Sequence, residues 1–305
     1  MRRFWPVLLL TLMFIVSFLL YKTTSHQVND TQASYQRIIT LAPSITETAF
    51  ALGLADRIVA VSDYSDYPPE AQQRPSVGGY TNTSLEAIVR QQPDLVIMMN
   101  AQHSLQRQLK QLNIKTHLVD NSSIADIKAS ILSIAELTGQ QKQAQKLLND
   151  IQKTIDTVRQ KVSGLPKVST MIAIAHYVNS EQLNTLYIAG KNDFYNDLLD
   201  IAGGQNVYTN TSVAVPSISA EGVMRLNPDV ILDIFPEAKD HQINLDNAMK
   251  QWQLLDSVNA VKSNRVYIIE HDYATVPGPR VFKLLTEMAQ LLHPEINWQT
   301  ENKHD

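Results

Sequence analysis

The segment Ser84-Leu-Glu86-Ala-Ile-Val-Arg-Gln-Gln-Pro93-Asp94-Leu-Val-Ile97 returns in the same register as Ser219-Ala-Glu221-Gly-Val-Met-Arg-Leu-Asn-Pro228-Asp229-Val-Ile-Leu232. This internal echo constrains the fold more than any other feature of the chain. Each copy predicts a serine-capped helix with glutamate in its first turn, then a Pro-Asp break, then an aliphatic strand buried on both faces. Two copies 135 residues apart call for two units of one plan, because a solenoid would repeat at shorter intervals and more often. The 305 residues suffice for two such units of roughly 100–150 residues, each with its own core.

The rest of the chain alternates strand and helix patterns. Arg37 to Pro43 is a short β-branched run closed by proline. Ser44 and Thr46 are placed to cap a helix with Glu47 in its first turn, and Ile58-Val59-Ala60-Val61 follows as a second strand. Strand, helix, strand opens an α/β unit. Between the echoed copies, Ala144, Leu147, Leu148, Ile151, Ile155, Val158 and Val162 recur at three- and four-residue steps, which predicts one long amphipathic helix. Gly164 and Pro166 stop it, and Lys167 to Ile174 begins the second unit as a strand. The chain thus divides into an N-terminal segment at 1–27, a polar linker at 28–36, an α/β lobe at 37–139, a linking helix at 140–164, a second α/β lobe at 165–295 and a polar tail at 296–305.

Composition narrows the function. Without cysteine the chain holds no disulfide, thiolate metal site, thiol nucleophile or lipid-anchoring cysteine. A net charge of −4 without a clustered cationic face argues against nucleic acid as partner. The sequence has no G-x-S-x-G elbow, no phosphate-cradling glycine loop and no H-E-x-x-H motif, and Gly203-Gly204 reads as a helix C-cap, so nothing marks an enzyme. Arg2 and Arg3 precede the apolar run Val7 to Tyr21, an export signal whose length fits both a cleaved signal peptide and a retained membrane anchor. The body is expected in the periplasm, touching membrane only through that segment.

Landmarks in order along the chain carry a resemblance. They are Thr40-Leu-Ala-Pro-Ser-Ile-Thr-Glu47, the loop Tyr64-Ser-Asp-Tyr67-Pro-Pro69, Gly78-Gly79-Tyr80, the two echoed joints, Ala202-Gly203-Gly204-Gln205-Asn206, Val266-Tyr267-Ile268 and Pro277-Gly-Pro-Arg280. Together they resemble the periplasmic binding proteins for cobalamin and iron chelates, over about residues 36–295. That resemblance implies an α/β fold of two Rossmann-like lobes joined by a single long spine helix, with a ligand cleft between the lobes. It implies a monomer without cofactor that carries cobalamin or a ferric siderophore to the transmembrane subunits of an ABC permease. It also implies that Glu86 and Glu221 present one carboxylate per lobe to permease arginines, a placement that would orient docking. Each glutamate equally complements the N-terminus of its own helix.

By the same resemblance the ligand contacts are Tyr64 and Tyr80 on the first lobe, whose rings suit stacking on a macrocycle, with Tyr67 anchoring its loop. Met99 stands where relatives offer an aromatic. On the second lobe the candidates are His176, Tyr177, Val215, Asp272 and Tyr273, and Val276 stands where an arginine is expected. Walls with so few charges predict that stacking and burial dominate affinity. Other readings remain: a zinc or manganese ion held by His103, His176 and His271, haem held by Tyr80, His176 or His271, or a membrane-tethered structural or sensory module with no cargo.

Overall fold

The computed structural model describes residues 35–178, 183–236 and 245–298. The apolar run at the N-terminus, most of the polar linker and the tail from 299 lie outside the described residues.

The first lobe is a four-stranded parallel sheet of β1 (Ile38–Thr40), β2 (Ile58–Val61), β3 (Leu95–Met99) and β4 (Thr116–Val119) in the order β2-β1-β3-β4. Its helices are α1 (Pro43–Ala51), α2 (Leu85–Arg90), α3 (His103–Gln111) and α4 (Ile124–Thr138). The long helix α5 (Gln141–Val162) then leads to the second lobe, and Gly164 in a left-handed conformation (φ +80°) turns the chain away.

The second lobe is built on β5 (Val168–His176), which pairs in parallel with β9 (Val230–Ile234), itself paired in parallel with β10 (Val266–Ile269). The other edge of β5 is shared. β7 (Gly204–Asn206) runs parallel to its first half, β6 (Thr185–Ile188) runs antiparallel to its second half, and β8 (Ser217–Ser219) pairs antiparallel with β6. Helices α6 (Phe194–Ile201), α7 (Ala220–Leu226), α8 (Leu245–Gln253), α9 (Asn259–Lys262) and α10 (Val281–Leu292) complete it. The antiparallel strands β6 and β8 are absent from the sequence expectation, since runs of four and three residues are too short for their alternation to announce a strand.

The echo is structural as well as sequential. Ser84 Oγ accepts from the Ala87 N–H at 3.1 Å and Ser219 Oγ from the Gly222 N–H at 3.3 Å, capping α2 and α7 alike. Both helices end in a left-handed residue just before the proline, Gln92 (φ +47°) and Asn227 (φ +44°). The strands that follow, β3 and β9, each lie beside the first strand of their lobe.

Alternation along these strands sorts the core into separate clusters. Leu95 and Ile97 on β3, and Val230, Leu232 and Ile234 on β9, face one large cluster that also takes in Ile151, Ile155 and Val158 of α5 and Leu284, Leu285 and Met288 of α10. Val96 and Met98 face a separate outer cluster in the first lobe, and Ile231 an outer cluster in the second. The lobes and the spine helix therefore share one apolar interior, in which each fully buried aliphatic side chain stabilises by roughly 1.5–3 kcal/mol.

The entry to α1 departs from expectation. The helix starts at Pro43 with Ala42 as N-cap and no side-chain cap, so neither Ser44 nor Thr46 caps it. Both are buried instead: Ser44 Oγ accepts from Asn121 Nδ2 at 2.9 Å, and the Thr46 hydroxyl lies 2.7 Å from that of Thr40. Because the helix begins earlier, Glu47 sits beyond the first turn and its carboxylate reaches the junction between the lobes.

Candidate functional site

The loops that leave the carboxyl ends of β1, β2, β9 and β10 converge on a cavity of about 700 Å3, lined by Pro43, Tyr64 and Asp66 from the first lobe and Pro236, Asp272 and Val276 from the second. Crevices at the carboxyl ends of parallel strands are where open α/β sheets bind ligands, and this volume lies within the usual small-molecule range of roughly 300–1,000 Å3.

Tyr64 is held out by a buried chain of hydroxyls. Thr40 meets Thr46 at 2.7 Å, Thr46 meets Ser65 at 3.1 Å and Ser65 meets Ser62 at 3.0 Å, which fixes the turn on both sides of Tyr64. Inside that turn Tyr64 takes a left-handed backbone (φ +61°) with 72% of its surface exposed. For a bulky residue this conformation costs on the order of 1–2 kcal/mol, and a strain of this kind is characteristic of ligand contacts.

At the floor of the cavity the two lobes are fastened by ions. Arg280 Nη2 lies 2.6 Å from Glu47 Oε1 across the interface, and the same guanidinium grips Asp272 with two bonds of 3.1 and 2.7 Å. The Tyr67 ring covers the guanidinium face at 3.7 Å, a cation–π contact rather than the simple loop anchor expected of it. The Glu47 side chain is 3% exposed and that of Arg280 12%. Burial raises the Glu47 pKa above the ordinary value despite the guanidinium hydrogen bond and charge. Burial pushes Asp272 the same way, but it is far more open, and there the hydrogen bond and charge of Arg280 prevail and hold its pKa below the usual range. Arg280 itself is desolvated, yet its two carboxylate partners lift its pKa further above the ordinary value. Behind this cluster a second cavity of about 650 Å3 opens among α1, α5 and α10, sharing Glu47, Tyr67 and Arg280 with the first.

Of the residues expected to touch ligand, Tyr64 and Asp272 line the interlobe cavity together. Tyr80, Tyr177 and Val215 are exposed and Met99 half-buried at loops or strand ends, but none of the four is in its lining. Gly190 brings the Val215 loop close: its N–H donates to the Ala214 carbonyl at 2.7 Å, and a Cβ there would meet the Val213 carbonyl at 2.4 Å.

His176 and Tyr273, also expected to touch ligand, are outside that lining too, and each has partners of its own. β5 runs two residues past Ile174 with a register shift, and the His176 side chain is fully buried, 2.9 Å from Asp233 Oδ2 and edge-on to Phe235 and Trp252. Tyr273 donates to Glu287 Oε2 at 3.0 Å on α10 and stacks on His271 at 4.8 Å. Its hydroxyl pKa is raised by burial and by the Glu287 charge, so it stays protonated. With His176 inside the second lobe, His271 on Tyr273 and His103 at the start of α3, the three histidines do not meet, and no metal-holding group of His, Asp or Glu occurs among the described residues. The expectation of few charges also fails, since Glu47, Asp66, Asp272 and Arg280 all line the cavity. Glu47 and Arg280 escaped sequence reasoning because 233 residues separate them. The available signal was that each closes a landmark, Glu47 that of Thr40 and Arg280 that of Pro277-Gly-Pro.

Two similar lobes, a spine helix and an interlobe cavity are the architecture of a solute receptor, and a family model described as periplasmic binding protein matches residues 38–273. The chain belongs to the periplasmic binding protein family. The vitamin B12-binding protein of Vibrio parahaemolyticus is 28% identical over 257 residues, covering 84% of this chain and 88% of that protein. An uncharacterized ABC transporter substrate-binding lipoprotein of Bacillus subtilis is 28% identical over 266 residues, covering 85% of this chain and 81% of that one. The crystal structure of the periplasmic vitamin B12-binding protein of Vibrio cholerae matches with a TM-score of 0.72 at 25% identity, covering 86% of this chain and 98% of that one. Membership of the periplasmic binding protein family fits a location outside the cytoplasm. Among the described residues no helix is long and apolar enough to cross a membrane.

The echoed glutamates sit in unlike surroundings. Glu86 is exposed and pairs with Arg90 one turn on at 2.7 Å, a surface ion pair of the kind that adds little to stability. Glu221 is exposed beside a depression of about 360 Å3 lined by Leu183, Leu254 and Leu255, and the Ser219 hydroxyl lowers its pKa.

Proposed function

We propose that this periplasmic binding protein captures a corrinoid or ferric chelate in the interlobe cavity and delivers it to an ABC permease, docking through Glu86 and Glu221. The observation that carries the reading is the convergence of Tyr64 and Asp272, from opposite lobes, on one cavity of about 700 Å3. Relatives named for vitamin B12 binding support a corrinoid, and the strained, exposed Tyr64 ring supports a flat ligand. Two exposed carboxylates on a rigid body would fix orientation at the permease more than they would add affinity. Calorimetric titration with cobalamin, a ferric hydroxamate and haem tests the capture. Micromolar or tighter binding of one of them, weakened about tenfold (roughly 1.4 kcal/mol) by Tyr64→Ala, is expected. Saturable binding of none would favour a tethered module without cargo.

A further inference from the structure

The cavity has an electrical sign. Among the described residues lining it, Glu47, Asp66 and Asp272 are acids and Arg280 is the one base. That gives a net −2 with the carboxylates ionised, and −1 with Glu47 protonated. The charge of Arg280 is already paired: its terminal nitrogens donate to Glu47 and Asp272 and Tyr67 covers its face, while its Nε is buried without a partner. Both oxygens of Asp272 accept from Arg280, so the free capacity lies with the other two acids. Glu47 Oε2 is buried without a hydrogen-bond partner, and the Asp66 carboxylate makes no hydrogen bond or ion pair among the described residues. Carboxylate oxygens accept hydrogen bonds and repel anions, an effect that salt screens where they are exposed.

Resting on the capture reading above, we propose that the cavity selects its cargo by charge. It admits a metal chelate whose contacting edge is neutral or cationic and carries N–H donors, and it rejects chelates that present carboxylate or catecholate anions. Asp66 and Asp272 are the specificity-determining residues, and Arg280 is a positioning residue that holds Asp272 in place.

The test is equilibrium titration of the purified full chain with cyanocobalamin, cationic ferrioxamine, an anionic ferric tris-catecholate and haemin, at low and high salt. The expected result is that cyanocobalamin or ferrioxamine binds at least about tenfold more tightly than either anionic probe at low salt, with the ratio shrinking as salt screens the acids. Asp66→Asn, which removes a charge without breaking a bond, is expected to shrink the same ratio, and Asp66→Asn with Asp272→Asn to shrink it further. Binding of an anionic probe as tight as that of the neutral and cationic ones would overturn charge selection while leaving capture intact. Binding of no probe would overturn the capture reading and the inference with it.

Discussion

Met98 and Asp233 are equivalent residues immediately after the echo, on the outer face of β3 and β9, yet one is an apolar core residue and the other a buried acid. In the first lobe Met98 packs among Ile39, Leu41, Val96 and Leu109. In the second, Asp233 accepts from Trp252 Nε1 at 2.6 Å and lies 2.9 Å from His176 Nε2. The same asymmetry runs through the sheets, all parallel in the first lobe and mixed in the second. A repeated helix-strand joint thus dictates topology and register but not what packs against the far face of the strand.

Asp233→Met, which installs the first lobe's residue in the second, breaks the comparison most severely. It leaves the Trp252 N–H and His176 without their buried acceptor and is expected to cost about 3–5 kcal/mol in urea unfolding. A loss below about 1 kcal/mol would show that the polar cluster is dispensable and the lobes interchangeable there.

Arg280→Ala tests the join between the lobes and is expected to cost roughly 3 kcal/mol near pH 8, because the Glu47 carboxylate is left buried and unpaired. Glu47 has a raised pKa, so its favourable contribution is present at low pH and lost as pH rises through that pKa. The loss in the variant should therefore shrink as pH falls through the raised Glu47 pKa, and a pH-independent loss would contradict the assignment.

The helix caps sharpen the contrast. In the first lobe α4 is capped by neutral Ser123, whereas α6 in the second is capped by Asp193, whose pKa burial pushes up to about 6. A carboxyl with a raised pKa stabilises the fold below its unfolded value and loses that contribution as pH rises through about 6. Asp193→Asn keeps a good cap and removes the charge, so it should stabilise by about 1–3 kcal/mol near pH 7.5 and by nothing near pH 4, read from thermal unfolding across that range. Smallest of all, Ser84→Ala and Ser219→Ala should each cost about 1 kcal/mol, equal within roughly 0.5 kcal/mol because the caps are matched.

Local pattern made much of the fold legible. The stripe from Ala144 to Val162 became α5, Ile58 to Val61 became β2, and the echo became two capped helices leading into buried strands. What stayed hidden depended on contacts far apart in sequence. β6 and β8 gain their strand character from pairing with β5 and each other, Glu47 finds Arg280 only after both lobes form, and His176 turns inward because Asp233 and Trp252 wait there. Of the cavity lining, Tyr64 and Asp272 were expected from the family resemblance, while the ion cluster beside them was not.

The single apolar cluster that threads both sheets and α5 has a consequence for the life of the protein. Neither lobe owns a complete interior, so neither can melt while the other stays folded. The chain should therefore lose heat-stable structure in one calorimetric step, with no separate transition for either lobe.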